Sequence, residues 1–174
     1  ARGFAGIALA HAAWSGDGGR RGVVLTVAGT DGAGVADTAR LAAAAAAAGD
    51  PHVPLRVRSY RRRAFRVAAT LYAEPDRAPA AVLRDAEAAL RARFGFGAVG
   101  FGERVSLSAV TAALQGAPGV AWVDVDLLYR EGEPATLRDW LPADVPLPGQ
   151  DAAASPAAEL LVVDLRPGDL RVAP

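Results

Sequence analysis

Between residues 55 and 72 apolar and polar side chains alternate with a period of two. Leu55 and Val57 alternate with Arg56 and Arg58; Phe65, Val67, Ala69 and Leu71 alternate with Arg66, Ala68, Thr70 and Tyr72. Successive strand side chains point to opposite faces, so the pattern predicts strands with one face on a core and the arginines in water. Arg61, Arg62 and Arg63 are expected in the turn between them. The period then changes. Val82, Ala86, Leu90 and Phe94 recur at steps of four with Leu83 alongside, while Arg84, Asp85, Glu87 and Arg91 take the other side. That spacing predicts an amphipathic helix, with Pro79 in the first turn, where a missing N–H is tolerated.

The flanking segments follow by the same reasoning. Gly16-Asp17-Gly18-Gly19 reads as a flexible turn and Val23–Ala28 as a buried strand. After a second glycine-rich turn, Gly29–Gly34, an alanine-rich helix is expected over Val35–Ala48, stopped by Gly49 and Pro51. Ser106 is a candidate N-cap for a short helix whose Leu107, Val110, Thr111 and Leu114 share one side. Gly116 is placed in the left-handed C′ position and Pro118 forbids continuation. In the strand Val120–Tyr129, the inward face is expected to be Ala121, Val123, Val125 and Leu127, with Trp122, Asp124 and Asp126 outward. Residues 131–158 read as a long Pro/Ala-rich loop. Arg166-Pro167-Gly168-Asp169 carries a type II turn signature between two apolar runs, and a terminal β-hairpin is predicted.

The element order β-α-β-β-α-α-β-loop-β-β predicts an α+β fold: a two-layer α/β sandwich with a mostly antiparallel sheet, helices on one face, and the hairpin at the C-terminus. The expected organisation is a segment 1–19 continuing from a preceding region, a domain over 20–130, the loop 131–158, and the hairpin 159–174 packed on the domain. The chain opens on Ala1-Arg2-Gly3 without methionine, and a C-terminal portion of a longer protein is expected.

Composition narrows the function classes. Over 174 residues, 52% hydrophobic content is enough for a core. Formal net charge is zero, which argues against a uniformly basic nucleic-acid carrier. With no cysteine and two histidines, His11 and His52, disulfides, thiolate chemistry and His-based metal sites have little to work with. No run of 18 apolar residues occurs, so no membrane insertion by a helix is expected. All basic residues are arginine.

Four stretches invite chemistry. AGTDGAGVADTAR follows a strand and opens a helix, where a phosphate loop sits, but lacks the Lys-Ser/Thr pair and the G-x-G-x-x-G spacing. RVRSYRRRAFR, Arg56 to Arg66, interleaves cations with Tyr60 and Phe65, a pattern suited to nucleic acid; since Arg56, Arg58 and Arg66 already form the wet face of two strands, a solvated hairpin tip or a contact to an acidic partner is the preferred explanation. Asp124 and Asp126 lie on one strand face, where two carboxylates can share a metal or act as an acid/base pair, yet no third ligand stands nearby in sequence. Ser106 and Ser108 lack a nucleophile elbow. No catalytic, cofactor-binding or metal-binding residue is therefore assigned, and no cofactor or small-molecule substrate is expected. Trp14, Trp122 and Trp140 differ in kind, because exposed tryptophan concentrates at interfaces. Arg61, Arg62, Arg63, Trp122, Trp140 and Leu141 form the candidate subunit interface.

The train FGFGAVGFGERVSLSAVTAALQGAPGVAWVDVDLLYR, with GVVLTVAGTDGAG, the Pro-x-Leu-x-Val strand at 54–57 and AVLRDAEAALRARFGF upstream, resembles the C-terminal region of the baseplate J-like family over residues 20–130. The resemblance implies a structural wedge component of a contractile phage tail or tail-like injection system, not an enzyme. It implies partners as well: copies of itself, a second wedge protein, and hub and sheath-proximal proteins, assembled in the bacterial cytoplasm. The alternative is a nucleic-acid-binding module built on the Arg56–Arg66 hairpin.

Overall fold

The structure, a computed structural model, describes residues 6–16, 21–30, 32–50, 52–149 and 154–173. The fold is α+β. The chain forms two compact units, one of residues 1–62, 100–102 and 143–160, the other of 63–99, 103–142 and 161–174. The expected domain over 20–130 contributes residues to both units, because the chain leaves each and returns to it.

In the first unit β1 (Ile7–Gly16) pairs antiparallel with β2 (Arg21–Gly29), and β2 pairs parallel with β3 (Leu55–Ser59), in the order β1-β2-β3. A parallel return requires a crossover, supplied by α1 (Thr38–Ala47). β1 escapes sequence reading because IALAHAAWSG puts alanine on both faces and buries only Ser15. Of the turn expected at Gly16–Gly19, only Gly16 lies within the described residues, paired with Arg21. The helix starts at Thr38 rather than Val35. Asp37 caps it by accepting the Arg40 N–H at 2.9 Å, and the Val35 N–H is taken by Ser59 Oγ at 3.0 Å.

The expected arginine-rich turn is absent. Ser59 and Tyr60 are both held: Ser59 Oγ accepts the Val35 N–H at 3.0 Å, the Tyr60 N–H donates to Val27 O at 3.0 Å and the Tyr60 hydroxyl to Gly32 O. The chain therefore stays extended, and Arg61, Arg62 and Arg63 are the first residues of β4 (Arg61–Ala73).

One buried residue ties the three segments of this unit together. Glu159, fully buried, accepts from Arg61 Nη2 on Oε1 at 2.7 Å and from the Asp144 N–H on Oε2 at 3.1 Å. Its own N–H donates to Asp144 O at 2.8 Å and its carbonyl accepts from Gly102 N–H at 3.0 Å. Beside it, buried Thr26 Oγ1 accepts the Ala158 N–H at 3.0 Å, and Ser15 and Ser155 hydroxyls meet at 3.1 Å.

The second unit contains β4 from residue 63 on, paired antiparallel with β6 (Val120–Arg130). On the opposite edge of β4 two short strands follow end to end: β8 (Glu159–Val163), here from residue 161, and β9 (Leu170–Val172). The bonds Asp164 N–H to Phe65 O, Ala69 N–H to Asp169 O and Ala173 N–H to Leu71 O advance along both chains together, and β9 is parallel to β4. The terminal hairpin is therefore corrected. The Pro-Gly turn does form, with Gly168 at φ +89° and the Asp169 N–H on Arg166 O at 3.1 Å. It is a loop looped out between collinear strands, anchored when Asp169 pairs with Arg66.

α2 (Pro79–Phe94) buries Val82, Ala86, Leu90 and Phe94, as the spacing predicts; the Phe94 ring meets Phe65 edge-on, centroids 5.7 Å apart. Ser106 caps α3 (Leu107–Gln115) by accepting the Ala109 N–H at 3.2 Å. Gly116 is right-handed, φ −79°; the left-handed residue is Gly119, φ +81°. In β6 the register shifts between Val125 and Leu127, so Asp126 is an extra residue and parity reverses. Leu128, not Leu127, enters the core, and Ala121 is exposed. Part of the expected 131–158 loop is ordered on this unit. Leu137 bridges Leu128, and β7 (Trp140–Leu141) pairs antiparallel with β5 (Val105–Ser106).

Two outcomes test this packing. Replacing Glu159 by Ala leaves Arg61 and the Asp144 N–H without their acceptor, and a loss of about 2–4 kcal/mol in urea unfolding is expected. At Gly119, an added Cβ would stand 2.8 Å from Arg77 Cγ and 3.1 Å from Val82 Cγ2 at a left-handed φ. Gly119→Ala is expected to cost roughly 1–3 kcal/mol, read from the urea midpoint at unchanged slope.

Candidate subunit interface

The helices of the second unit pack against one face of its sheet, and the alternate residues of β4 and β6 stand on the other. Register places Arg66 beside Tyr129, Ala68 beside Leu127, Thr70 beside Asp124, and Tyr72 beside Trp122. Across β4, Thr70 neighbours Arg171. This face carries two kinds of feature. At one end the Tyr72 and Trp122 rings stack 7° from parallel with centroids 3.3 Å apart, and Trp122 remains 51% exposed. Next to the stack is a polar triangle. Arg171 Nε donates to Thr70 Oγ1 at 2.9 Å, Arg171 Nη2 to Asp126 Oδ2 at 3.2 Å, and Thr70 Oγ1 to the same oxygen at 3.2 Å.

Farther along, Arg66 grips Asp169 in bidentate fashion, Nε to Oδ2 at 3.2 Å and Nη2 to Oδ1 at 2.5 Å. The hydrogen bond to Asp169 raises the Arg66 pKa above its ordinary value. Asp169 Oδ2 also takes the Arg166 N–H at 2.8 Å. Arg66–Asp169 and Arg171–Asp126 thus pair charges on this face, while the aromatic stack is presented to solvent from two hydrogen-bonded strands. A rigid aromatic with a polar surround is the composition of an interface anchor.

Trp140 is half exposed on β7, opposite Ser106. Asp139 accepts the Leu107 N–H at 2.8 Å. A shallow groove of about 620 Å³ lies there, lined by Leu107, Thr111, Gln115 and Asp139 among others. Leu141 is corrected: it is fully buried in the core and unavailable to a partner. Arg61 is likewise committed to Glu159, whereas Arg62 and Arg63 are exposed on β4. Since β3 and β4 form no hairpin, the basic platform expected over Arg56–Arg66 does not exist as a tip.

Other candidates find internal roles. The glycine-rich loop after β2 is tied to Ser59 and Tyr60. Asp126 is held by Thr70 and Arg171. Among the described residues no group of three His, Cys, Asp or Glu is placed to hold a metal. His11 packs edge-on to Phe101, centroids 6.3 Å apart. Tyr72 was missed as a site residue; its alternation marks the wet face, but only register reveals that Trp122 lies on it.

Residues 1–58 match the family model described as the Baseplate J-like central domain. Over those 58 of 174 residues the chain is similar to the baseplate J-like family. The match falls on the first unit and includes GVVLTVAGTDGAG and the 54–57 strand; the train ending at Arg130 lies outside it. It names the central domain, where the sequence resemblance was to the C-terminal region. No curated protein matches the chain. A baseplate J-like domain supports a structural role in a phage baseplate and association with other baseplate proteins. No helix among the described residues is long and apolar enough to cross a membrane.

Because Trp122 contributes surface rather than core, Trp122→Ala is expected to lower stability by only about 1 kcal/mol, the worth of an aromatic pair. Unfolding should stay cooperative with an unchanged denaturant slope.

Proposed function

We propose that the chain is a wedge component of a contractile tail or a phage-derived injection system. Its role is structural, without catalysis. It joins further copies of itself, a second wedge protein, and hub and sheath-proximal proteins during assembly in the bacterial cytoplasm. The observation that carries this reading is the central-domain match over residues 1–58. Two aromatic anchors on ordered strands, Trp122 and Trp140, supply contact points in the second unit. The nucleic-acid alternative loses its support, because the Arg56–Arg66 hairpin on which it depended is not formed.

The test uses the full chain in cells that produce the parent particle. A tagged copy is expected to recover sheath-proximal and hub proteins, and Trp122→Ala with Trp140→Ala to reduce assembled particles at least tenfold by negative-stain counting, as for loss of interface hot spots. A folded double variant that assembles normally removes these two anchors. Purification as a lone monomer that turns over a small molecule removes the wedge reading itself.

A further inference from the structure

The first unit carries a second feature, distinct from the sheet face above. Trp14 on β1, Val23 on β2 and Leu55 on β3 are register neighbours, so they form one row across the three strands. α1 covers only part of this row. Between Ala45 and Ala46 of its last turn, with Gly49 just beyond it, and the Trp14 indole lies an open groove of about 290 Å³ whose lining includes Asp50. Trp14 is 60% exposed, the most exposed of the large apolar side chains among the described residues.

Three observations define what fits there. The groove is at the small end of small-molecule pockets, roughly 300–1,000 Å³, and suits a side chain. Its electrostatics are one-sided: the last turn of α1 holds no basic residue, the helix C-terminus carries about half a negative charge, and Asp50 adds a full one. The lining contains no cation. Its aromatic wall, finally, offers a π face to a cation. An apolar floor, an indole and a negative end match the stem and head of an arginine.

The setting indicates how such an arginine arrives. β1 is an edge strand; among the described residues it pairs with β2 alone. Its ten residues hold no proline and neither an acidic residue nor an arginine, and its one register irregularity lies between Ile7 and Leu9, so the stretch from Leu9 to Gly16 around Trp14 pairs regularly and is open to strand addition. A strand added to β1 would set alternate side chains beside Trp14. A long cationic side chain laid on the indole shares the groove with Asp50, and the planar guanidinium stacks better than an ammonium.

We propose that the β1 edge and the Trp14 groove form a docking site for an extended segment of another protein chain, with one arginine of that segment laid over Trp14 toward Asp50. This goes beyond the wedge reading and is tested without the particle.

The experiment titrates the full isotope-labelled chain with acetyl-Thr-Val-Arg-Val-Thr-amide and with the same peptide carrying citrulline, the neutral isostere of arginine. The Trp14 indole N–H signal is assigned from Trp14→Phe. The arginine peptide is expected to shift the Trp14 indole and the β1 amides saturably, with affinity about tenfold above the citrulline peptide. Asp50→Asn, which keeps an oxygen to accept the His52 N–H, should lower it to the citrulline level. Equal response to both peptides, no response at Trp14, or an Asp50→Asn variant indistinguishable from the parent overturns the proposal. So does self-association through β1 in the absence of peptide.

Discussion

The carboxylate of Glu159 sits without solvent contact between three pieces of chain that are far apart in sequence. A buried carboxylate costs several kcal/mol unless both oxygens find donors. Here Arg61 supplies one and the Asp144 N–H the other, while the main chain of the same residue binds Asp144 and Gly102. Those bonds tie 100–102 and 143–160 to each other and to Arg61 at the end of the 1–62 segment. Loop closure costs grow only logarithmically with length, so a unit can be assembled from such separated segments if the meeting point is specific. Thr26 with Ala158, and Ser15 with Ser155, add buried polar contacts that a shifted register would break.

The second unit is stabilised differently. Its helices cover one sheet face with Val82, Leu90, Phe94, Val110 and Leu114, all buried. The other face is left to paired charges and one aromatic stack. Placing β8 and β9 end to end on a single edge of β4 requires the chain to leave the ladder and rejoin it. The Pro167-Gly168 turn allows this, and the Arg66–Asp169 pair anchors the point of return. In the second unit the register of β4 and β6 holds Tyr72 against Trp122, so this surface aromatic pair stands on ordered strands.

Several elements were legible because their signal is local. α2 shows its face by spacing alone, Ser106 caps where a serine before an apolar helix should, and β2, β3, β4 and β6 follow from apolar runs and alternation. Errors arose where the decisive partner is distant. β1 has too much alanine to show a face, and its strand identity comes from pairing with β2. Arg61 looks like a solvated cation until Glu159, far along the chain, is placed against it. Leu141 resembles a loop residue because nothing local reveals that β5 receives it. One extra residue at Asp126 exchanges Leu127 and Leu128 between surface and core, and no alternation pattern announces a bulge.

The sequence by itself determined the α+β character, the buried face of α2, the Ser106 cap and the turn at Pro167-Gly168, since backbone preference and hydrophobic period act over a few residues. It also exposed the scarcity of thiols and imidazoles. Only the tertiary structure decided which strands meet, that the last two share an edge instead of pairing with each other, and that Tyr72 lies on Trp122. Those outcomes depend on register and burial between segments tens of residues apart, and such contacts leave no mark on the order of residues along the chain.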